Sequence, residues 1–171
     1  MIINGSALLE AAPIVDMVNE KRSFKGTSYG LAEVGYDIRI KQDIEFLPNY
    51  NRTLGYDQIR INHIDGPVQQ KYGRFIIASA IEEFEMPRNL MGVVHDKSTW
   101  AREGLSVFNT VIEPGWRGWL TLELVYHGQG HLHIPAGSGI AQVIFHQIIE
   151  PAEYSGKYQD QADHPVKPIR T

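Results

Sequence analysis

Apolar residues recur mainly at every second position along this chain, in short runs cut by glycine and proline. Residues 7–21, ALLEAAPIVDMVNEK, are the best helical stretch, and Pro13 within it divides or displaces the helix. Beyond it the pattern becomes that of strands. Residues 34–48 alternate on Tyr36, Ile38 and Ile40, and further short apolar segments occupy 74–81, 89–94, 119–126 and 140–149. Gly35, Pro48, Gly66-Pro67, Pro87, Pro114-Gly115, Gly128 to Gly130 and Pro135 supply the turns. Many short strands with little helix predict an all-β sandwich, jelly roll or closed barrel. A chain of 171 residues suits one domain. Its expected parts are an N-terminal helical segment (1–30), a β core (31–150) and a polar C-terminal arm (151–171). Such an arm is either a frayed tail or a strap that closes over a neighbour's ligand.

One strand carries an acid in an informative place. In EPGWRGWLTLEL, residues 113–124, a strand from Trp119 puts Leu120, Leu122 and Leu124 on one face and Trp119, Thr121 and Glu123 on the other. The Glu123 carboxylate then either meets solvent or lines a pocket that tunes its proton affinity.

Composition narrows the chemistry. Sixteen basic against twenty acidic residues give a formal charge of −4, which argues against chain-wide attraction to nucleic acid or an anionic membrane. The absence of cysteine removes disulfides, thiolate nucleophiles and cysteine-ligated zinc. No apolar run approaches the roughly 20 residues that span a bilayer, so a soluble, cytoplasmic protein is expected.

Two further segments hold candidate chemistry. In HDKSTWAREG, residues 95–104, Asp96 or Ser98 can cap a short helix whose free amides, with Lys97 and Arg102, suit a phosphate. The same pattern also describes an ordinary capped turn. In HGQGHLH, residues 127–133, the histidines form either a metal site or a solvated hairpin, and no carboxylate follows at a persuasive spacing. Trp100, Trp116 and Trp119 read as core or subunit contacts, Phe108 and Tyr158 as ligand contacts, and Asp37 with Arg39 as a structural pair or strand-edge contact.

DKSTWAREG, VIEPGWRGWLTLEL, PAGSGIAQVIF and GKYQDQ, in that order, resemble the dCTP deaminases and their bifunctional deaminase-diphosphatase relatives in the dUTPase superfamily. The resemblance covers about residues 31–161. It implies a dUTPase-like distorted jelly roll or β-barrel, assembled as a homotrimer with active sites between subunits. It implies hydrolytic deamination of dCTP to dUTP and ammonia, with no zinc and with Mg2+ carried by the triphosphate. Glu123, Ser98 and Arg102 take the catalytic positions. Lys97, Ser98, Thr99 and Arg102 grip triphosphate and shape the base pocket, and Glu113 contacts deoxyribose. Asn109, Thr110, Thr121, Leu122, Gln142, Tyr154, Lys157, Tyr158 and Gln161 complete the substrate-binding set. dTTP is an expected feedback ligand; nucleic acid and membrane are not expected partners.

The chain departs from the family pattern at three places. Thr99 replaces a serine, Glu113 stands where aspartate is usual, and the EGLSVFNTV loop (103–111) is about two residues short. That loop should contact the base, so a cytosine substituted at C5 is a further substrate to consider. Rival readings are dUTPase activity, alone or coupled to deamination so that dUMP and pyrophosphate leave, and a non-catalytic nucleotide-binding regulator.

Overall fold

The computed structural model describes residues 1–51, 56–62 and 67–170. The predicted turn at Gly66 and the terminal residue of the arm, Thr171, lie outside the described residues. Strand β1 (Ile2–Ile3) precedes a short helix α1 (Gly5–Ala11), followed by β2 (Lys21–Phe24), β3 (Thr27–Leu31) and β4 (Tyr36–Arg39). Next come β5 (Asp43–Asn51), β6 (Tyr56–Asn62), β7 (Gln69–Tyr72), β8 (Phe75–Glu85) and β9 (Leu90–Asp96). A single helical turn, α2 (Ser98–Arg102), leads into β10 (Leu105–Val107), β11 (Val111–Ile112), β12 (Arg117–Tyr126), β13 (Leu132–Ile134) and β14 (Gly139–Gln147).

The strands form three antiparallel sheets. One runs β11-β9-β14-β4-β3-β2 with β1 added to β14; the others run β10-β12-β8 and β13-β5-β6-β7. Neighbours that are distant in sequence give a jelly-roll-like arrangement, and among the described residues the sheets do not close into a barrel. Ile38, Ile44, Ile59, Phe84, Leu122, Ile140 and Phe145 are among the residues sealed in the common core. At about 25 cal/mol per Å2 of apolar surface, that burial dominates the favourable side of folding.

The helix is shorter than the sequence pattern predicts. Ala12 caps α1 in a left-handed conformation (φ 44°), as the residue before proline is steered away from the right-handed helix. Residues 13–15 then extend along β8: Glu85 N donates to Pro13 O and Val15 N to Glu83 O, both at 2.9 Å. Pairing with a sheet edge satisfies this backbone, where a continued helix would have left the Leu9 carbonyl without a donor at Pro13.

The predicted strands at 74–81, 89–94, 119–126 and 140–149 correspond to β8, β9, β12 and β14. Burial along β12 follows the predicted alternation at Leu122 and Leu124 and continues to Tyr126. Leu120 departs from it, being half-buried where the β12–β8 register shifts between Trp119 and Thr121.

Candidate active site

Strand β12 forms one wall of a cavity of about 690 Å3, within the range of small-molecule sites. Leu120, Thr121 and Glu123 line it from β12, and Asn109 through Glu113 line it from the segment around β11. Lys71 comes from β7, and Phe75, Ile76 and Ile77 come from β8. The arm supplies the roof with Tyr154, Tyr158, Gln161, Val166, Lys167 and Pro168.

Glu123 is held by its own backbone. Phe108 N donates to Glu123 O at 2.8 Å, which prolongs the β10–β12 pairing by one residue. The Asn109 side chain then acts as the next rung: its Nδ2 donates to Thr121 O at 2.7 Å and its Oδ1 accepts from Glu123 N at 3.4 Å. The carboxylate itself projects into the cavity, where partial removal from water raises its pKa above the usual 4.5. A carboxylate so placed is a stronger proton acceptor than one in bulk water.

The arm returns to its own domain over this site. Gln161 pairs with Gly118 in a parallel bridge, with Trp119 N donating to Gln161 O at 3.1 Å. Trp116 Nε1 donates to Tyr158 O at 2.6 Å, and the Gln161 amide and Val166 N both donate to Thr121 Oγ1. Lys157 Nζ donates to Ile169 O, and Tyr158 Oη accepts from Ile169 N at 3.1 Å, which folds the last residues onto the arm. Gly118 permits the close approach. Its φ is +131°, and a Cβ there would lie 2.5 Å from Gln161 N and O.

Of the residues singled out from sequence, Glu123, Asn109, Thr110, Glu113, Thr121, Tyr154, Tyr158 and Gln161 meet at the cavity. Leu122 is fully buried on the opposite side of β12. Gln142 donates its amide to Val34 O at 3.0 Å, and Lys157 lies over the Tyr158 ring. The α2 block does not line this cavity. Ser98, Thr99 and Arg102 are exposed, whereas Lys97 is buried against Asp37. Residue 97 is the N-cap, with no side-chain cap bond, and Asp96 instead accepts from Val107 N at 2.7 Å.

Other sequence candidates have different partners. Asp37 and Arg39 do not pair with each other; Asp37 binds Lys97 and Arg39 binds Glu82 at 2.8 Å. Trp100 and Trp116 are buried, and Trp116 is also a cavity wall. Phe108 is exposed and packs edge-on to His127 outside the cavity. His133 binds Asp43, His131 approaches Glu45 and His127 meets Ser106. Among the described residues no group of three or more His, Cys, Asp or Glu could hold a metal ion. The wall from β7 and β8 has no motif in the sequence: sheet pairing brings Phe75 opposite β12, whereas Lys71 comes from β7, which pairs with β6 in another sheet.

These features define the class: a dUTPase-like β fold whose acid-edged, arm-covered cavity has the size for a nucleotide. Similar folds occur in a dUTPase from phage phi11 of S. aureus (TM-score 0.50, 13% identity, 74% of this chain and 84% of that one). A 2'-deoxycytidine 5'-triphosphate deaminase from Agrobacterium tumefaciens matches at TM-score 0.54 and 15% identity, over 84% of this chain and 47% of that one. The particular family follows from sequence. A family model described as dCTP deaminase-like matches residues 9–148. The dCTP deaminase of Nautilia profundicola is 35% identical, with 86% of each chain covered. That of Campylobacter curvus is 35% identical over 89% of this chain and 87% of its own. This chain belongs to the dCTP deaminase-like family.

Proposed function

We propose that the protein hydrolyses the exocyclic amine of dCTP, or a closely related deoxycytidine nucleotide, giving dUTP and ammonia in pyrimidine deoxynucleotide metabolism. The observation that carries this reading is Glu123: a carboxylate of raised proton affinity, fixed on a strand, facing a nucleotide-sized cavity. Water has a pKa of about 15.7 and needs a base to attack cytosine C4 at neutral pH. Glu123 takes one water proton as the C4–O bond forms and delivers it to N3. The second hydroxyl proton passes through the same carboxyl to the amine, the C4–N bond breaks, and ammonia leaves. Burial favours the protonated form of Glu123, so the carboxyl serves in turn as base and acid.

The rest of the site follows from charge. As one chain builds it, the cavity has the carboxylates Glu113 and Glu123 and the lysines Lys71 and Lys167. A triphosphate adds several negative charges, so further cations must come from elsewhere. The exposed face of α2 supplies the Arg102 cation, with the Ser98 and Thr99 hydroxyls beside it, from a second copy in the homotrimer that the family resemblance implies. Thr110, Gln142, Tyr154, Lys157, Tyr158 and Gln161 belong to the proposed substrate-binding set.

Mg2+ fits this arrangement as an ion carried by the nucleotide, because the described residues offer two cavity carboxylates but no metal cage. When bound it would neutralise charge between phosphate oxygens. dTTP is the proposed feedback ligand of the same pocket.

A second reading adds cleavage at the α-phosphate, releasing dUMP and pyrophosphate, and is favoured by Glu113 on the cavity wall. Incubation with dCTP and Mg2+, measuring ammonia, pyrophosphate and nucleotide products together, separates the two. Ammonia with dUTP supports the first; ammonia with dUMP and pyrophosphate supports the second. Glu123→Gln should abolish ammonia release while preserving the fold, and substantial residual turnover would refute the role of Glu123. The short 103–111 loop also motivates comparison of dCTP with its 5-methyl and 5-hydroxymethyl forms.

A further inference from the structure

Lys97 begins the block that resembles a triphosphate grip, yet its ammonium points into the protein. Nζ lies 2.6 Å from Asp37 Oδ2 and 2.9 Å from Ser28 Oγ, and Ser28 Oγ donates to the same Asp37 oxygen at 2.8 Å. Asp37 is 3% exposed and Lys97 9%. Asp37 and Ser28 come from β4 and β3 and Lys97 directly follows β9, in a sheet where β14 lies between β9 and β4. Lys97 reaches across β14 at Gly139. A Cβ at Gly139 would collide with Ser28 O and lie 3.3 Å from Lys97 Cε, so glycine keeps this passage open.

A second anchor lies one turn along. Trp100 Nε1 donates to Gly139 O at 2.7 Å. Lys97 O accepts from Ala101 N at 3.0 Å, closing the only full turn of α2. Lys97 and Trp100 therefore face inward, while Ser98, Thr99 and Arg102 face out.

We infer that Lys97 is a positioning residue rather than a phosphate ligand: clamped by Asp37 and Ser28, it fixes α2 so that Ser98, Thr99 and Arg102 are presented correctly. The physical reason is the cost of withdrawal. Turning the ammonium toward a phosphate would strand the Asp37 carboxylate in a buried site, and an unpaired buried charge is strongly disfavoured. A helix of five residues has little stability of its own and needs such external pegs.

The test compares wild type with Lys97→Met, Asp37→Asn and the apolar double variant Asp37→Leu/Lys97→Met. Two readouts are used: dCTP affinity with Mg2+ by calorimetry, and amide hydrogen exchange at Ala101, Glu103 and Gly104. Positioning predicts that either single change weakens dCTP by roughly tenfold or more and speeds these amides. The double variant, which leaves no buried charge, should recover most of both losses. A phosphate ligand would behave differently: Asp37→Asn would free the ammonium and leave dCTP binding unchanged or tighter, and the double variant would stay as weak as Lys97→Met. Either result overturns the inference, as does unchanged exchange in both single variants. The nucleotide arm rests on the function proposed above. If wild type binds no dCTP, that function fails, while amide exchange alone still decides whether Lys97 holds α2.

Discussion

At the scale of single residues, Asn109 illustrates how a polar side chain can hold in place a carboxylate it does not touch. Its amide completes the backbone pairing of Thr121 and Glu123 where β10 has already ended. Asn109→Ala should leave two backbone groups of β12 without these partners and let Glu123 rotate. We expect kcat to fall about tenfold with a smaller change in KM, measured by steady-state ammonia release. The raised pKa of Glu123 gives a second expectation. The carboxyl must be ionised to accept a proton, so the acid limb of kcat should lie above the ordinary glutamate value of 4.5. A pH–rate profile reads this directly, and a limb at or below that value would contradict the desolvated environment.

Among the elements, two contacts decide how the site is enclosed. Gly118→Ala would force β12 and Gln161 apart, since the new methyl has no room and the backbone angle strains any other residue. The arm should detach, seen as rapid proteolysis within 151–170 and a higher KM, with the β core intact. Deeper in the sheets, the Glu82 carboxylate accepts from both Arg39 N and Arg39 Nε, and burial pushes its pKa up. A raised folded pKa means stability present below the unfolded value and lost as pH rises through the folded one. Glu82→Gln should therefore gain on wild type as pH increases above the usual carboxylate range. Arg39→Ala, which keeps the backbone N–H but leaves the buried acid without its counter-charge, should cost about 3–5 kcal/mol near neutrality. Denaturant titrations at several pH values test both.

The same scale shows what the sequence can reveal. Strands β8, β9, β12 and β14 each bury residues that alternate with partly exposed ones, so their period is visible, whereas in β4 Asp37 is buried along with the apolar Tyr36 and Ile38. The β2–β3 hairpin escapes that reading because every residue of β2 is exposed. Its Lys25-Gly26 turn, with both φ angles positive, was the available signal. The acids of the cavity were legible because they sit in a recognisable motif. Lys71 and Phe75 were not: Phe75 reaches the cavity through β8 pairing with β12, and Lys71 reaches it from β7, in a different sheet. The inward direction of Lys97 was equally hidden: it depends on a glycine and an aspartate 42 and 60 positions away.

For the whole molecule, the separation of two polar constellations is the main constraint. Glu123 lines the cavity with Glu113, while Ser98, Thr99 and Arg102 stand on an exposed turn outside it. If one copy supplies the base and another the α2 face, two inactive variants should rescue each other. Glu123→Gln lacks the base, and Arg102→Ala lacks the cation, yet neither change removes core packing. Refolded together in equal amounts, they should form mixed assemblies in which about a quarter of the sites combine an intact Glu123 with an intact Arg102. Ammonia release should then return to about that fraction of wild type. Activity no greater than that of the separate variants would mean that each chain builds its site alone. The exposed α2 face would then have to reach its own cavity by moving, and the Lys97 anchor opposes that motion.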